Sequence, residues 1–169
     1  MHTKNPQRTR EALIAAAYEV IKQRGVTGLT LDSVAQTAKV SKGGLLYHFG
    51  SKEALVAGML AAMIDDFERE LVAQFRTAGY ESRPGAWTRA YIHAQIAMAT
   101  FDTDQSAALL AATATKPELL EPVRQHFVEW QQRAERDGLD PALTTIIRLA
   151  IDGLFLADLL ETARQLLNE

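Results

Sequence analysis

The chain has no cysteine. Disulfides, cysteine-ligated zinc, iron–sulfur clusters and thiol catalysis are therefore excluded, and the absence agrees with a reducing compartment. Long apolar runs are missing as well. The longest uncharged apolar run, Ala54 to Ile64, is eleven residues, against the roughly 20 that a bilayer-spanning helix needs. The N-terminus is basic, but no apolar signal region follows it. A soluble, cytoplasmic protein with no membrane partner is the expectation. Catalytic signatures are also lacking: no phosphate-cradling G-x-x-x-x-G-K-[ST], no G-x-S-x-G and no H-E-x-x-H occurs. His2, His48, His93 and His126 are scattered, and none has an acid three residues before it, which excludes the Glu-x-x-His pairs of di-iron bundles. No enzyme activity, metal or cofactor is expected.

What remains is an ordinary globular composition, 47% hydrophobic and 23% charged over 169 residues, enough to build a core. The net charge of −3 hides an uneven distribution. Residues 1–52 carry eight Lys and Arg against three acids, a net of +5, while residues 53–169 carry ten against eighteen, a net of −8. A basic block ahead of an acidic body suggests a polyanion-binding head on a body with another task.

No segment alternates apolar and polar residues long enough for a strand; helical spacing recurs instead, so the fold class is all-α. Leu13, Ile14, Ala17, Val20 and Ile21 form a first stripe that stops at Gly25, with Pro6 near its start. Thr30 caps a short second helix with Val34, Ala35 and Ala38 inward, and Ser41 caps a third over 42–48 with Leu45 and Phe49 inward. A long fourth helix runs from Lys52 to about Thr77 on a seam of Leu55, Met59, Met63, Phe67, Leu71 and Phe75. Beyond a linker at Gly79 to Gly85, helices are expected over about 86–101 and 105–115, from Pro117 to about Arg136, and from Asp140-Pro141 to residue 160 or further.

Residues 30–49 have the proportions of a helix-turn-helix: two turns with small Ala35 at the crossing, a turn plugged by Val40, and a short serine-capped helix. Such a unit lays its second helix in the DNA major groove. Lys42 and Lys52 flank it and suit phosphate, and the start of the fourth helix offers free N–H groups to the same anion. From Thr9-Arg10 to Lys52-Glu53-Ala54-Leu55, and most tellingly in Val40-Ser41-Lys42-Gly43 and the closing His48-Phe49-x-x-Lys52-x-x-Leu55, the sequence resembles the DNA-binding domain of the tetracycline-repressor (TetR) family. The resemblance implies an all-helical homodimer with a three-helix DNA-binding head, residues 1–52, and a helical body, residues 53–169, for effector binding and dimerisation. It places DNA contacts at Lys42, Gly43, Gly44, Tyr47, His48 and Lys52, with Thr30 at the backbone and Ser41 capping the reading helix on the same surface. Three positions depart from the family pattern: Lys39 stands where glycine is frequent in the turn, Gly44 where Thr, Ser or Asn is common, and Leu46 where tyrosine is usual, with Tyr47 one residue later. The family also implies a repressor released from a pseudo-palindromic operator by a small effector, apolar or aromatic to judge from the body's residues.

In the body, Met59, Met63 and Phe67 are spaced to meet Trp87, Tyr91, Met98 and Phe101, with Phe127 and Trp130 closing the same space and Tyr91 or His93 as polar groups. Two readings stand side by side: the lining of an effector pocket, or a packed core, which Met and aromatic stripes usually form. The last helix is apolar nearly all round, and its small-residue line Ala150, Gly153, Ala157, flanked by Ile146 and Leu160, is the expected dimer interface; a central helix of a monomer is the other reading. Asp152 is spaced to pair with Arg148, or else to face an effector. After residue 160 only Glu161 to Glu169 follow, short of the further long helix frequent in the family. A helical carrier or interaction module that has lost DNA binding is the rival function, supported by Gly44 and Leu46 alone.

Overall fold

The computed structural model describes residues 6–77, 83–101, 106, 109, 110, 112, 113 and 116–167, with backbone alone at 99–101 and 161–167. Among the described residues these α-helices have both bounds: α1 (Pro6–Arg24), α2 (Leu31–Thr37), α3 (Lys42–His48), α4 (Lys52–Thr77), α5 (Ala86–Phe101), α6 (Glu121–Glu135) and α7 (Pro141–Leu167). No strand occurs among the described residues, and no helix among them is long and apolar enough to cross a membrane. The chain forms two compact units, Met1–Leu60 with Asp104–Leu119, and Ala61–Thr103 with Leu120–Glu169.

In the first unit α1 begins at Pro6, where a missing N–H costs nothing. Its inward stripe is the expected one, with Leu13, Ala17 and Val20 fully enclosed. Gly25 ends the helix at φ 67°, a conformation that glycine takes freely. Thr30 then caps α2: its hydroxyl accepts from the Ser33 N–H, and the Ser33 hydroxyl accepts from the Thr30 N–H. Ser33 fills the place where the reciprocal cap usually has Glu or Gln. The turn into α3 bends at Lys39, whose φ of 55° lies in the left-handed region, so the lysine carries a conformational cost that glycine would not. Ser41 caps α3 by accepting from the Gly44 N–H at 3.1 Å.

Phe49 closes α3 and is 3% exposed. Its ring runs so close to α4 that a Cβ on Gly58 would sit 2.5 Å from Cε1, while the Arg10 guanidinium lies 5.2 Å from the ring centre. Gly58 is therefore a packing glycine inside a helix. The same unit holds an ion pair between Lys116 and Glu53 at 2.5 Å. The Lys116 hydrogen bond holds the Glu53 carboxyl down at about 2, from an ordinary 4.5. Since the folded value lies below the unfolded one, this contact contributes fully above about pH 4.5 and fades as pH falls towards 2.

In the second unit α5, α6 and α7 pack against one another. Phe67, Leu71, Ala90, Tyr91, Ala94 and Trp130 form the buried core, with Phe75, Trp87, Met98 and Ile151 against it. Asp137 fastens the start of α5 from the far end of α6: its carboxylate accepts from the N–H groups of Trp87 and Thr88 at 2.9 and 2.8 Å, and its carbonyl from the Gly85 N–H at 2.7 Å.

One helix start is corrected. A helix was expected from Pro117, but Pro117–Leu120 is a 3-10 turn and α6 begins at Glu121. Pro122 explains the shift, because a proline without an N–H fits only the first turn of an α-helix. The last helix runs well past 160, to Leu167. The helix expected over 105–115 falls mostly outside the described residues; Ser106, Leu109, Leu110, Ala112 and Thr113 are helical.

Gly58→Ala tests the closeness of Phe49. Alanine improves helix propensity by about 1 kcal/mol, but forcing a methyl into a packed ring costs about 1–3 kcal/mol. A net loss is expected in a denaturant melt; a more stable variant would show that the ring gives way.

Candidate nucleic-acid interface

α3 is seven residues long, and only Leu45 within it is buried. Lys42, Gly43, Leu46 and Tyr47 are exposed, Tyr47 at 80%. The aromatic ring of Tyr47 meets His48 edge-on at 5.1 Å, which limits the directions in which it can point. Beside the helix lies a depression of about 410 Å³, bordered by Pro6, Lys39, Ser41, Gly44, Tyr47 and His48. Thus the sequence-derived contacts Ser41, Lys42, Gly43, Gly44, Tyr47 and His48 fall on one short segment. A Cβ at Gly43 would meet nothing, whereas one at Gly44 would sit 3.2 Å from the Ser41 hydroxyl. Gly44 therefore stays close to its cap, and Gly43 simply leaves the helix face bare.

Thr30 and Lys52 occupy two helix starts in the same unit, Thr30 as the N-cap of α2 and Lys52 as the first residue of α4. The Thr30 hydroxyl is committed to its cap; its exposed position leaves the residue open to a backbone contact. Ser51 accepts from the Ala54 N–H at 3.0 Å, so Lys52 stands in a capped first turn.

One partner at this surface is absent from the sequence-derived set. Asp32, on the first turn of α2, holds the Lys42 ammonium at 2.9 Å from Oδ1 and 3.1 Å from Oδ2. The two residues are ten apart, so no helical or strand period links them. The signal available was the helix-turn-helix itself, which brings the starts of its two helices near each other.

The body residues divide. Met59 is buried in the first unit, where the Tyr18 hydroxyl donates to its carbonyl at 3.4 Å. Met63 is half-buried and His93 exposed. Phe67, Tyr91 and Trp130 stack into the core of the second unit at centroid distances of 4.7–5.9 Å, Trp87 lies on Tyr91 at 5.1 Å, and Phe127 borders Trp130 at 5.2 Å. Met98 packs against the same cluster. The Phe101 side chain lies outside the described residues. These rings pack on one another, and among the described residues a cleft of about 720 Å³ opens at the ends of α4 and α6, with Phe75, Trp87, Arg133 and Arg136 on its walls.

A polar network crosses this core. Arg148 pairs with Asp152 at 2.6 Å, as its spacing implied. Asp152 also accepts from the Tyr91 hydroxyl at 2.6 Å and from Gln95 at 3.2 Å, and Arg148 donates to Gln131 at 2.7 Å. Burial and the Asp152 carboxylate push the Tyr91 hydroxyl far above its ordinary pKa, so it remains a donor. Glu68 accepts from the Trp130 indole at 2.6 Å and from Arg133. Spacing gave neither Gln95 nor Glu68. On α7, Ile146, Ala150, Gly153, Ala157 and Leu160 are all exposed.

Residues 13–59 match the family model of bacterial regulatory proteins of the tetR family, and residues 85–166 match that of a tetracyclin repressor-like C-terminal domain. The HTH-type transcriptional regulator RutR of Escherichia coli (strain K12) is 41% identical over 56 residues, which are 33% of this chain and only 26% of that regulator. The HTH-type transcriptional regulator BetI of Rhizobium meliloti (strain 1021) is 28% identical over 166 residues, 91% of this chain and 79% of BetI. Among solved structures, the multidrug binding protein EbrR complexed with imidazole superposes with a TM-score of 0.65 at 26% identity, over 97% of this chain and 89% of EbrR. The short capped α3, the lysines Lys42 and Lys52 and the helical body agree with both family matches: the chain belongs to the tetracycline-repressor family of helix-turn-helix transcriptional regulators.

Proposed function

We propose that two copies of this chain bind a pseudo-palindromic DNA operator through paired α3 helices, repress transcription there, and release it when a small aromatic effector enters the body. The observation that carries the DNA-binding part is the reading surface. A short, capped helix presents Lys42 and an 80% exposed Tyr47, with Lys52 at a neighbouring helix start. A tyrosine left in water on a helix held by its own core residue is explained by a partner that covers it. The basic balance of residues 1–52 supports a polyanionic partner. A gel shift with DNA from upstream of its own gene is the direct test. Salt-sensitive, sequence-preferring binding is expected; its absence would favour the carrier reading.

The second copy is supported by α7. Ile146 at 65%, Leu154 at 64% and Leu160 at 53% exposure form part of an apolar face on a helix of 27 residues. A Cβ on Gly153 would meet nothing within 4 Å, which leaves room for another helix. The effector part is supported by the cleft at Phe75 and Trp87, whose volume of about 720 Å³ suits a small organic molecule. EbrR, described as a multidrug binding protein and solved with imidazole, supports a planar effector by similarity.

Three outcomes are expected. Lys52→Ala weakens binding alike on operator and scrambled DNA and lowers the salt slope by roughly two units per dimer; a loss confined to the operator would make Lys52 a base reader. Gly153→Glu sets a charge against its symmetry mate, costing several kcal/mol, so sedimentation shows monomer or aggregate; an intact dimer would mean another face is used. Trp87→Ala changes by about tenfold or more the concentration at which planar aromatic acids or amines release DNA, while affinity without them is kept, because one wall of the cleft is lost. An unaltered response would put the effector outside this cleft.

A further inference from the structure

The Asp32–Lys42 pair is made by two exposed side chains, 71% and 60% accessible. Pairs of this kind contribute little to stability, so its place on the surface matters more than its strength. From Lys42 through Tyr47 the reading helix offers one charged side chain, Lys42, followed by two glycines, two leucines and a tyrosine. Lys42 does not stand alone as a point charge: both Asp32 oxygens are within 3.1 Å of its nitrogen. The start of α3 thus presents a donor and an acceptor side by side.

Resting on the DNA-binding reading above, we propose that Asp32 is a specificity-determining residue, and that with Lys42 it forms a donor–acceptor dyad that reads one base pair in each half-site by an acceptor and a donor lying side by side on its edge. In the major groove, guanine shows two neighbouring acceptors, N7 and O6, and its cytosine shows an amino donor next to them. The ammonium donates to the guanine acceptors and the carboxylate accepts from cytosine N4. Adenine offers the same order on one base, an N7 acceptor beside an N6 donor. The dyad therefore rejects whichever pair sets an acceptor or the thymine methyl against the carboxylate. Asp32 has a second effect of the opposite sign on general affinity. Its negative charge stands beside a lysine that would otherwise neutralise any phosphate, so it lowers binding to DNA of every sequence. One carboxylate thus raises base preference and reduces indiscriminate attachment.

The test is selection from a random double-stranded DNA library with the wild type, Asp32→Asn, Asp32→Ser and Lys42→Ala, followed by titration on the selected operator and on scrambled DNA at several salt concentrations. The Thr30–Ser33 cap holds α2 independently of Asp32, so the Asp32 variants keep the helix. The wild type is expected to fix one base pair at one position per half-site. In both Asp32 variants the preference there falls about tenfold, other positions stay as they were, and affinity for scrambled DNA rises several-fold with a steeper salt dependence. Lys42→Ala loses the preference at the same position without the rise. If the Asp32 variants select the same bases with the same operator-to-scrambled ratio, or if the position they lose is not the one Lys42→Ala loses, the dyad is wrong while DNA binding stands. If the wild type itself selects nothing, DNA binding fails and the dyad falls with it.

Discussion

A helix of seven residues does not hold its shape alone in water, since its few internal hydrogen bonds do not offset nucleation. Everything this chain presents at α3 therefore depends on Leu45 and Phe49, which anchor the helix from its hidden side. Leu45 is wholly enclosed, and Phe49 turns the chain out of the helix with its ring held by α4 and Arg10. The Ser41 cap satisfies the other end. The exposed residues are not what anchors the helix: Tyr47 and Lys42 stand on its outer side, away from Leu45.

The same division explains what was legible in the sequence. Helix limits were, because local chemistry sets them: Gly25, Thr30 and Ser41 stop or start helices through their own backbone and hydroxyl groups, and the observed bounds of α3, α4 and α5 agree with the spacing. Leu13, Val20 and Leu45 were legible as core for the same reason, since helical period fixes which face a residue takes. What lies opposite that face is not periodic. The stripes of Phe67, Tyr91 and Trp130 admit either a pocket or a core, and their mutual stacking is a contact that no period reports. The Asp32–Lys42 pair, the Gly58–Phe49 approach and the Glu68–Trp130 bond join residues that no local rule connects. Pro122 is a different case: its effect is local, but Pro117, five residues earlier, carries the same start signal.

The second unit combines a dry aromatic core with a buried polar string, and the two constrain each other. Arg148 and Asp152 lie one turn apart on α7 and are nearly buried, so each depends on the other and on Tyr91, Gln95 and Gln131 for compensation. Groups held in this way fix α7 in one rotation against α5 and α6, which an apolar contact alone would leave freer. The opposite side of α7, with Ile146, Gly153 and Leu160, then faces outward by geometric necessity.

Asp137 fastens α5 in an unusual way for a helix cap, since it reaches across about fifty residues of chain to do so. Most caps are read from the neighbouring sequence and travel with their helix. Here the orphan N–H groups of one helix are answered by the residue that ends another, so neither terminus is complete until both have been made and brought together. The body of this regulator is in that sense closed by a clasp, whose two parts meet only when the helices between them, with Tyr91 and Trp130, have packed.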